Sequence, residues 1–199
     1  MKFTSDIDID FGDRSKILQK IKHIPAAIHN SKGIQIHNTG IYVTDISRDP
    51  VHNCSSIDYK KAEQRGYIKL DFLNVGLYTK IRNQDHLTDL LNTDPPWHRL
   101  YQQSFCEQLT HIGKHYDLLL KMPEAVNSIP RLAMFLALIR PSKRDLIGLP
   151  WAEVAKTIWQ RPQIDQYYFK KSHSVAYSHL VVVNMNLLDL ADQSNTTSF

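Results

Sequence analysis

The stretch Ser5–Arg14, SDIDIDFGDR, decides how this chain is read. It sets Asp6, Asp8 and Asp10 at alternate positions, with Ile7, Ile9 and Phe11 between and after them. A strand turns successive side chains to opposite faces, so the carboxylates line one face and the apolar groups the other. Like charges along one strand face repel, and Asp is a poor strand former. A divalent cation offsets that cost, because hard metal ions take oxygen ligands and neutralise the cluster.

Working outward, the alternation returns at Gly66–Phe72, GYIKLDF, where Asp71 sits between apolar residues and shares a face with Lys69. A lone Asp in a strand is ordinarily an edge residue facing solvent. Two such strands side by side would instead join Asp8, Asp10 and Asp71 into one acidic site. That arrangement suits two metal ions about 3.5–4 Å apart, which activate an attacking oxygen and stabilise a leaving one in phosphoryl transfer. Between the two acidic segments, Asp13 is placed to cap a helix over Ser15–His23. Ile34–His37 and Gly40–Ile46 read as a hairpin joined at Asn38-Thr39. His37 and Gly40 then fall at a strand end and its turn, where a histidine is more often structural than a ligand.

From Asn83 onward the apolar spacing turns helical, in Trp97–Leu120, Ser128–Ile139 and Pro150–Trp159. A last helix is expected from Ser172 to Leu190, with the polar end of the chain as a flexible tail. The expected organisation is therefore a strand-rich part over residues 1–82, a helical lobe over 83–190 and a tail over 191–199. Two segments of the helical part concentrate positive charge. In YYFKKSHSVAYSH, Tyr167–His179, Lys170 and Lys171 precede Ser172, a good N-cap, and His173. A helix N-terminus with ammonium, hydroxyl and imidazole groups suits a polyphosphate, although solvated lysines at a capped helix are the blander reading. Tyr177, one turn beyond His173, is either a stacking surface or core. In ALIRPSKR, Ala137–Arg144, Arg140, Lys143 and Arg144 follow an apolar helix; they either complement its dipole or clamp phosphate.

The chain of 199 residues has 42% hydrophobic and 22% charged residues, an ordinary soluble composition with length enough for a real core. A formal charge of +4 and a pI near 9.0 lean towards an anionic partner. Cys54 and Cys106 lie in no metal-binding or disulfide spacing. MKFTSDIDID carries no apolar signal core, and runs such as LAMFLALI, Leu132–Ile139, are too short to span a bilayer. A cytoplasmic protein without a membrane partner is expected.

In this order, the segments resemble the bacterial replicative DNA polymerases of family C, the DNA polymerase III alpha subunits. That family carries a PDxDxDF palm strand, a K/R-H-x-G-G-type segment, a KFDFLG strand, an ALFRPG segment and a GFNKSHSxAY segment in the fingers. This chain has SDIDIDF at 5–11, IHNTG at 36–40, IKLDFL at 68–73, ALIRPS at 137–142 and YFKKSHSVAY at 168–177. The resemblance spans residues 5 to about 188, with shortened intervals: 61 positions separate Asp10 from Asp71. It implies an α+β fold, a polymerase-beta-like nucleotidyltransferase palm with a mixed sheet, followed by a mainly helical fingers lobe. It makes Asp8, Asp10 and Asp71 the catalytic ligands of Mg2+ or Mn2+, with Asp6 in support. Lys69, His37 and Gly40 then lie beside the incoming nucleotide, and Arg140, Lys171, Ser172 and His173 contact its triphosphate.

The implied activity is template-directed addition of deoxynucleotides to a primer 3′ end, in DNA replication or repair. DNA primer-template and deoxynucleoside triphosphates would be the partners, along with other replisome proteins. The departures are Ile36 for the basic residue before the palm histidine, Ser142 for the glycine of RPG and Lys170 for the asparagine of FNKSH. These 199 residues leave no room for the family's phosphoesterase, clamp-binding and C-terminal nucleic-acid-binding parts, so processive synthesis is not expected. A catalytically silent DNA- or nucleotide-binding accessory factor or mimic is the alternative. So compact a version suits a virus or mobile element.

Overall fold

A computed structural model describes residues 7–161 and 169–196. Asp6, Tyr167 and Tyr168 lie outside the described residues. The chain divides into two compact units, Met1–Ile81 and Arg82–Phe199. The first is built on a mixed sheet and the second on helices, an α+β composition.

The sheet of the first unit holds β1 (Ile7–Phe11), β2 (Ile24–Asn30), β3 (Gly33–Tyr42) and β6 (Leu70–Asn74), in the spatial order β1-β6-β3-β2. β1 and β6 run parallel, with Asp8 opposite Asp71 and Asp10 opposite Leu73. β6 runs antiparallel to β3, with Asp71 opposite Gly40. The apolar residues of the alternating pattern take the other face, where the rings of Phe11 and Phe72 lie 4.8 Å apart. A two-residue ladder, β4 (Arg48–Asp49) with β5 (Cys54–Ser55), two short helices, α1 (Arg14–Leu18) and α2 (Tyr59–Gln64), and a 3-10 turn over Gly76–Lys80 belong to the same unit. Asp13 caps α1 by accepting from the Ser15 N–H, and Asn74 of β6 accepts from the Arg14 N–H at 2.7 Å. Ala26, Tyr42, Ile46 and Ala62 form its small core.

Three readings of this region are corrected. The strand pair expected at Ile34–His37 and Gly40–Ile46 is one continuous strand, β3, and its hairpin partner is β2. The turn lies at Ser31-Lys32, where the Asn30 side chain accepts from the Lys32 N–H at 2.8 Å and Gly33 takes a φ of +110°. His37 and Gly40 therefore sit inside a strand. The helix expected over Ser15–His23 stops at Leu18, five residues after its cap.

In the second unit the longest elements are α3 (Gln84–Asn92), α6 (Ile129–Leu138) and α8 (Lys171–Thr196). Shorter α4 (Gln103–Cys106), α5 (Tyr116–Leu119) and α7 (Trp151–Thr157) lie between them. α6 and α8 pack together: Ser174 donates to the Ala133 carbonyl at 2.5 Å, and Leu132, Phe135 and Leu136 meet Val181, Val182 and Met185 in one core. The single helix expected over Trp97–Leu120 is instead a string of short turns. Its apolar residues Leu100, Phe105, Leu109 and Ile112 are all buried, so the spacing was real. The chain reaches that burial by turning after Pro95-Pro96 and again at His111, whose φ is +63°. α8 begins at Lys171, so Ser172 stands in its first turn and does not cap it; the Lys170 carbonyl is the first acceptor. Because α8 continues to Thr196, most of the expected tail over 191–199 is helical. No helix among the described residues is long and apolar enough to cross a membrane.

Candidate functional site

Asp8, Asp71 and Gly40 lie in register across three neighbouring strands, so their side-chain positions share one face of the sheet. Asp10 follows two residues along β1 on that face. Asp71 is the buried member, at 8% exposure, and Asp8 is exposed. Both Asp71 oxygens have partners: Thr39 Oγ1 donates to Oδ1 at 2.7 Å, and the Lys69 ammonium pairs with Oδ2. The Tyr78 hydroxyl donates to Asp10 Oδ2 at 3.3 Å. Burial and the Asp10 carboxylate push the Tyr78 phenol above its ordinary range, so it stays a donor.

His37 is fixed by the backbone of its own strand. Its Nδ1 accepts from the Gly40 N–H at 2.9 Å and lies 3.2 Å from the Thr39 N–H. A ring nitrogen that accepts from a backbone amide carries no proton, so the 3.9 Å approach of Nδ1 to Asp71 Oδ1 is not an ion pair. Burial, then the positive Lys69, holds the imidazole below its usual range and keeps it neutral. Tyr59 closes this corner, with its ring 5.2 Å from that of His37 and 5.9 Å from the Lys69 ammonium. Gly40 is required by close approach. A Cβ there would stand 2.7 Å from Lys69 Cδ and 3.0 Å from His37 Nδ1.

The carboxylate and hydroxyl oxygens of this face fit a hard divalent cation such as magnesium, although an ammonium and an imidazole stand beside them. As the side chains stand, however, no group of three or more His, Cys, Asp or Glu among the described residues is placed to hold a metal ion. The strands align the aspartates, while Lys69 and Tyr78 occupy oxygens that a cation would need.

The second set of candidates belongs to the helical unit. Arg140 follows α6, and its guanidinium carbon lies 4.5 Å above the Phe169 ring. Phe169 also borders His173 at 6.2 Å and stacks on Tyr177 at 5.5 Å, so one buried ring joins Arg140 to the start of α8. Lys171 and Ser172 are exposed in the first turn and His173 is half-buried. Lys143, read as part of a phosphate clamp, is instead buried and donates to the Thr157 carbonyl at 2.8 Å. His115 was not singled out by any motif. Burial and then Arg144, Arg140 and Lys114 hold its imidazole below the usual range, so this corner is electropositive.

Thr39, Tyr59 and Tyr78 are the residues of the acidic face that sequence reading missed. Thr39 was hidden by its assignment to a turn, and the two tyrosines lie outside the quoted motifs. Both cysteines are buried free thiols, and burial pushes Cys106 up to about 11, so neither is a poised nucleophile. No protein-family profile, curated protein or solved structure matches this chain.

Proposed function

We propose that the chain is a miniature DNA polymerase III alpha-like nucleotidyltransferase, adding deoxynucleotides to a primer 3′ end on a template. The observation that carries this reading is the parallel pairing of β1 with β6. It sets Asp8 opposite Asp71 and puts Asp10 on the same face, although the two strands come from distant parts of the sequence. An acidic row of this kind is costly unless it serves a cation, and Lys69 already balances Asp71 with one.

In this reading Asp8, Asp10 and Asp71 hold Mg2+ or Mn2+. When bound, the metal would supply charge neutralisation for the transfer. A metal there would take the place that the Lys69 ammonium holds on Asp71, which would leave Lys69 available to an anionic ligand. The neutral His37, locked through Nδ1, keeps Gly40 and Thr39 in line along β3. Within the helical unit, Arg140, Lys171, Ser172 and His173 offer charge and hydrogen bonds suited to a polyphosphate. The test is primer extension with Mg2+ or Mn2+ and deoxynucleotides. The wild type should extend, and Asp71→Asn should lose roughly 10²–10³-fold, the scale of removing one electrostatic stabiliser. No extension by the wild type under either metal would end the catalytic reading.

A second reading is favoured by the carboxylates' existing partners. With Asp71 held by Lys69 and Thr39, and Asp10 by Tyr78, the same surface serves a catalytically silent protein that binds DNA or nucleotide as a replisome accessory factor or mimic. Metal-dependent nucleotide binding without turnover would select it.

A further inference from the structure

The helical unit pairs several of its cations with carboxylates: Arg99 with Asp189 and Asp192, Arg131 with Glu124, and Lys156 with Glu153. One corner departs from this. Among the described residues, Lys114, Arg140 and Arg144 join no ion pair, and neither do Asp117 and Asp145, carboxylates of the same segments. Arg140 is the most telling of them. Phe169 covers one flat face of its guanidinium at 4.5 Å, but the N–H groups point outward in the plane and need acceptors there. Its Nε is buried with no hydrogen-bond partner, a charged donor cut off from water and unsatisfied. Such a group costs the fold unless an acceptor reaches it.

The chain brings other groups to the same place. After α6, the 3-10 turn over Pro141–Leu146 folds back so that Arg144 Nε donates to the Ile139 carbonyl at 3.3 Å, beside Arg140. That bond uses one of the five guanidinium donors of Arg144. Lys143, between them, is turned to the Thr157 carbonyl and takes no part. After burial, Arg144, Arg140 and Lys114 are what hold the His115 imidazole below its usual range, so three cations act on one neutral ring. That ring is partly buried and makes no side-chain hydrogen bond among the described residues. Cations gathered at one end of α6 without a counter-charge suit a compact, multiply charged oxyanion. A nucleic-acid backbone calls instead for charge spread along a groove. We infer that this corner binds a polyphosphate, with Arg140 at its centre and Arg144, Lys114 and His115 as further binding residues. The inference rests on the reading that Arg140 meets a polyphosphate. It adds Lys114 and His115, which no motif marked, and keeps Arg144 in the clamp from which Lys143 is removed.

The experiment titrates the chain with inorganic triphosphate at low salt, with melting temperature as the check that each variant is folded. Wild type should bind and gain melting temperature with the ligand. Arg140→Met keeps an apolar stem on Phe169 and removes the charge; it should bind about tenfold to a hundredfold more weakly. Arg144→Gln and Lys114→Gln, at exposed positions, should each lose roughly two- to fivefold. His115→Phe keeps a ring without a donor and should lose about fivefold. Lys156→Gln removes the same charge elsewhere in the unit and should bind like wild type. If Arg144→Gln, Lys114→Gln and His115→Phe all match wild type, or Lys156→Gln loses as much as they do, these assignments are overturned while the Arg140 reading stands. If wild type binds unphosphorylated oligo-dT, with losses in the same variants, but not triphosphate, the ligand is a nucleic acid and the polyphosphate assignment is wrong. If it binds neither, the Arg140 reading fails and this inference with it, whereas primer extension alone decides the catalytic reading of the aspartates.

Discussion

Gly40 shows how tightly one residue can be bound to a site's chemistry. Replacing it with Ala drives a methyl into the Lys69 stem and the His37 ring, shifting the ammonium on Asp71. Gly40→Ala should cost about 1–3 kcal/mol, the range for overpacking, measured by urea unfolding. His37 makes a pH prediction with a definite sign. Its folded pKa lies below the ordinary 6.5, so the unfolded chain binds the extra proton first as pH falls. The contribution is present above pH 6.5 and is lost as pH falls through the lowered folded value. Unfolding midpoints of wild type should therefore drop more steeply below pH 6.5 than those of His37→Gln; parallel curves would refute the assignment. Tyr42 offers a contrasting case. Its hydroxyl is buried without a hydrogen-bond partner, and burial pushes it up to about 12. Tyr42→Phe should leave stability unchanged or raise it by about 1 kcal/mol in the same assay, because only an unsatisfied group is removed.

Among the elements, α3 depends on a residue nearly a hundred positions away. Asn186, buried on α8, donates to the carbonyls of Leu90 and Thr93, where α3 runs out of its own hydrogen bonds. Asn186→Ala should cost about 1–3 kcal/mol in urea unfolding, the penalty for stranding buried carbonyls. How far the elements were legible follows from the kind of signal each gives. The alternation in DIDIDF and KLDFL marks β1 and β6 by its period of two, against the poor strand propensity of Asp. β2 was hidden because IPAAIHN opens with a proline and carries two alanines, both weak strand signals; the proline is tolerated on an edge strand beside a bulge. Asn38-Thr39 resembled a turn, yet tertiary pairing carried the strand straight through it. In Trp97–Leu120 the spacing identified what is buried but not the path, since it does not register that His111 turns the chain. The acidic row was legible as residues. Its occupancy by Lys69, Thr39 and Tyr78 was not, because those partners meet through side-chain placement.

At the scale of the whole molecule, the net charge of +4 gives the nucleic-acid reading a measurable signature. Binding to a primer-template should weaken as salt rises, with a negative log–log slope of about 0.9 for each phosphate neutralised on duplex DNA. Affinity independent of salt between about 50 and 200 mM would argue against a nucleic-acid partner.

The pairing of β1 with β6 also bears on how the protein is made. A ribosome delivers β1 some sixty residues before β6, its ladder neighbour among the described residues. At about 5–20 residues per second, the first strand waits several seconds with both edges bare. Its aspartates, mutually repelling and open to water, disfavour premature association with other nascent chains during that interval.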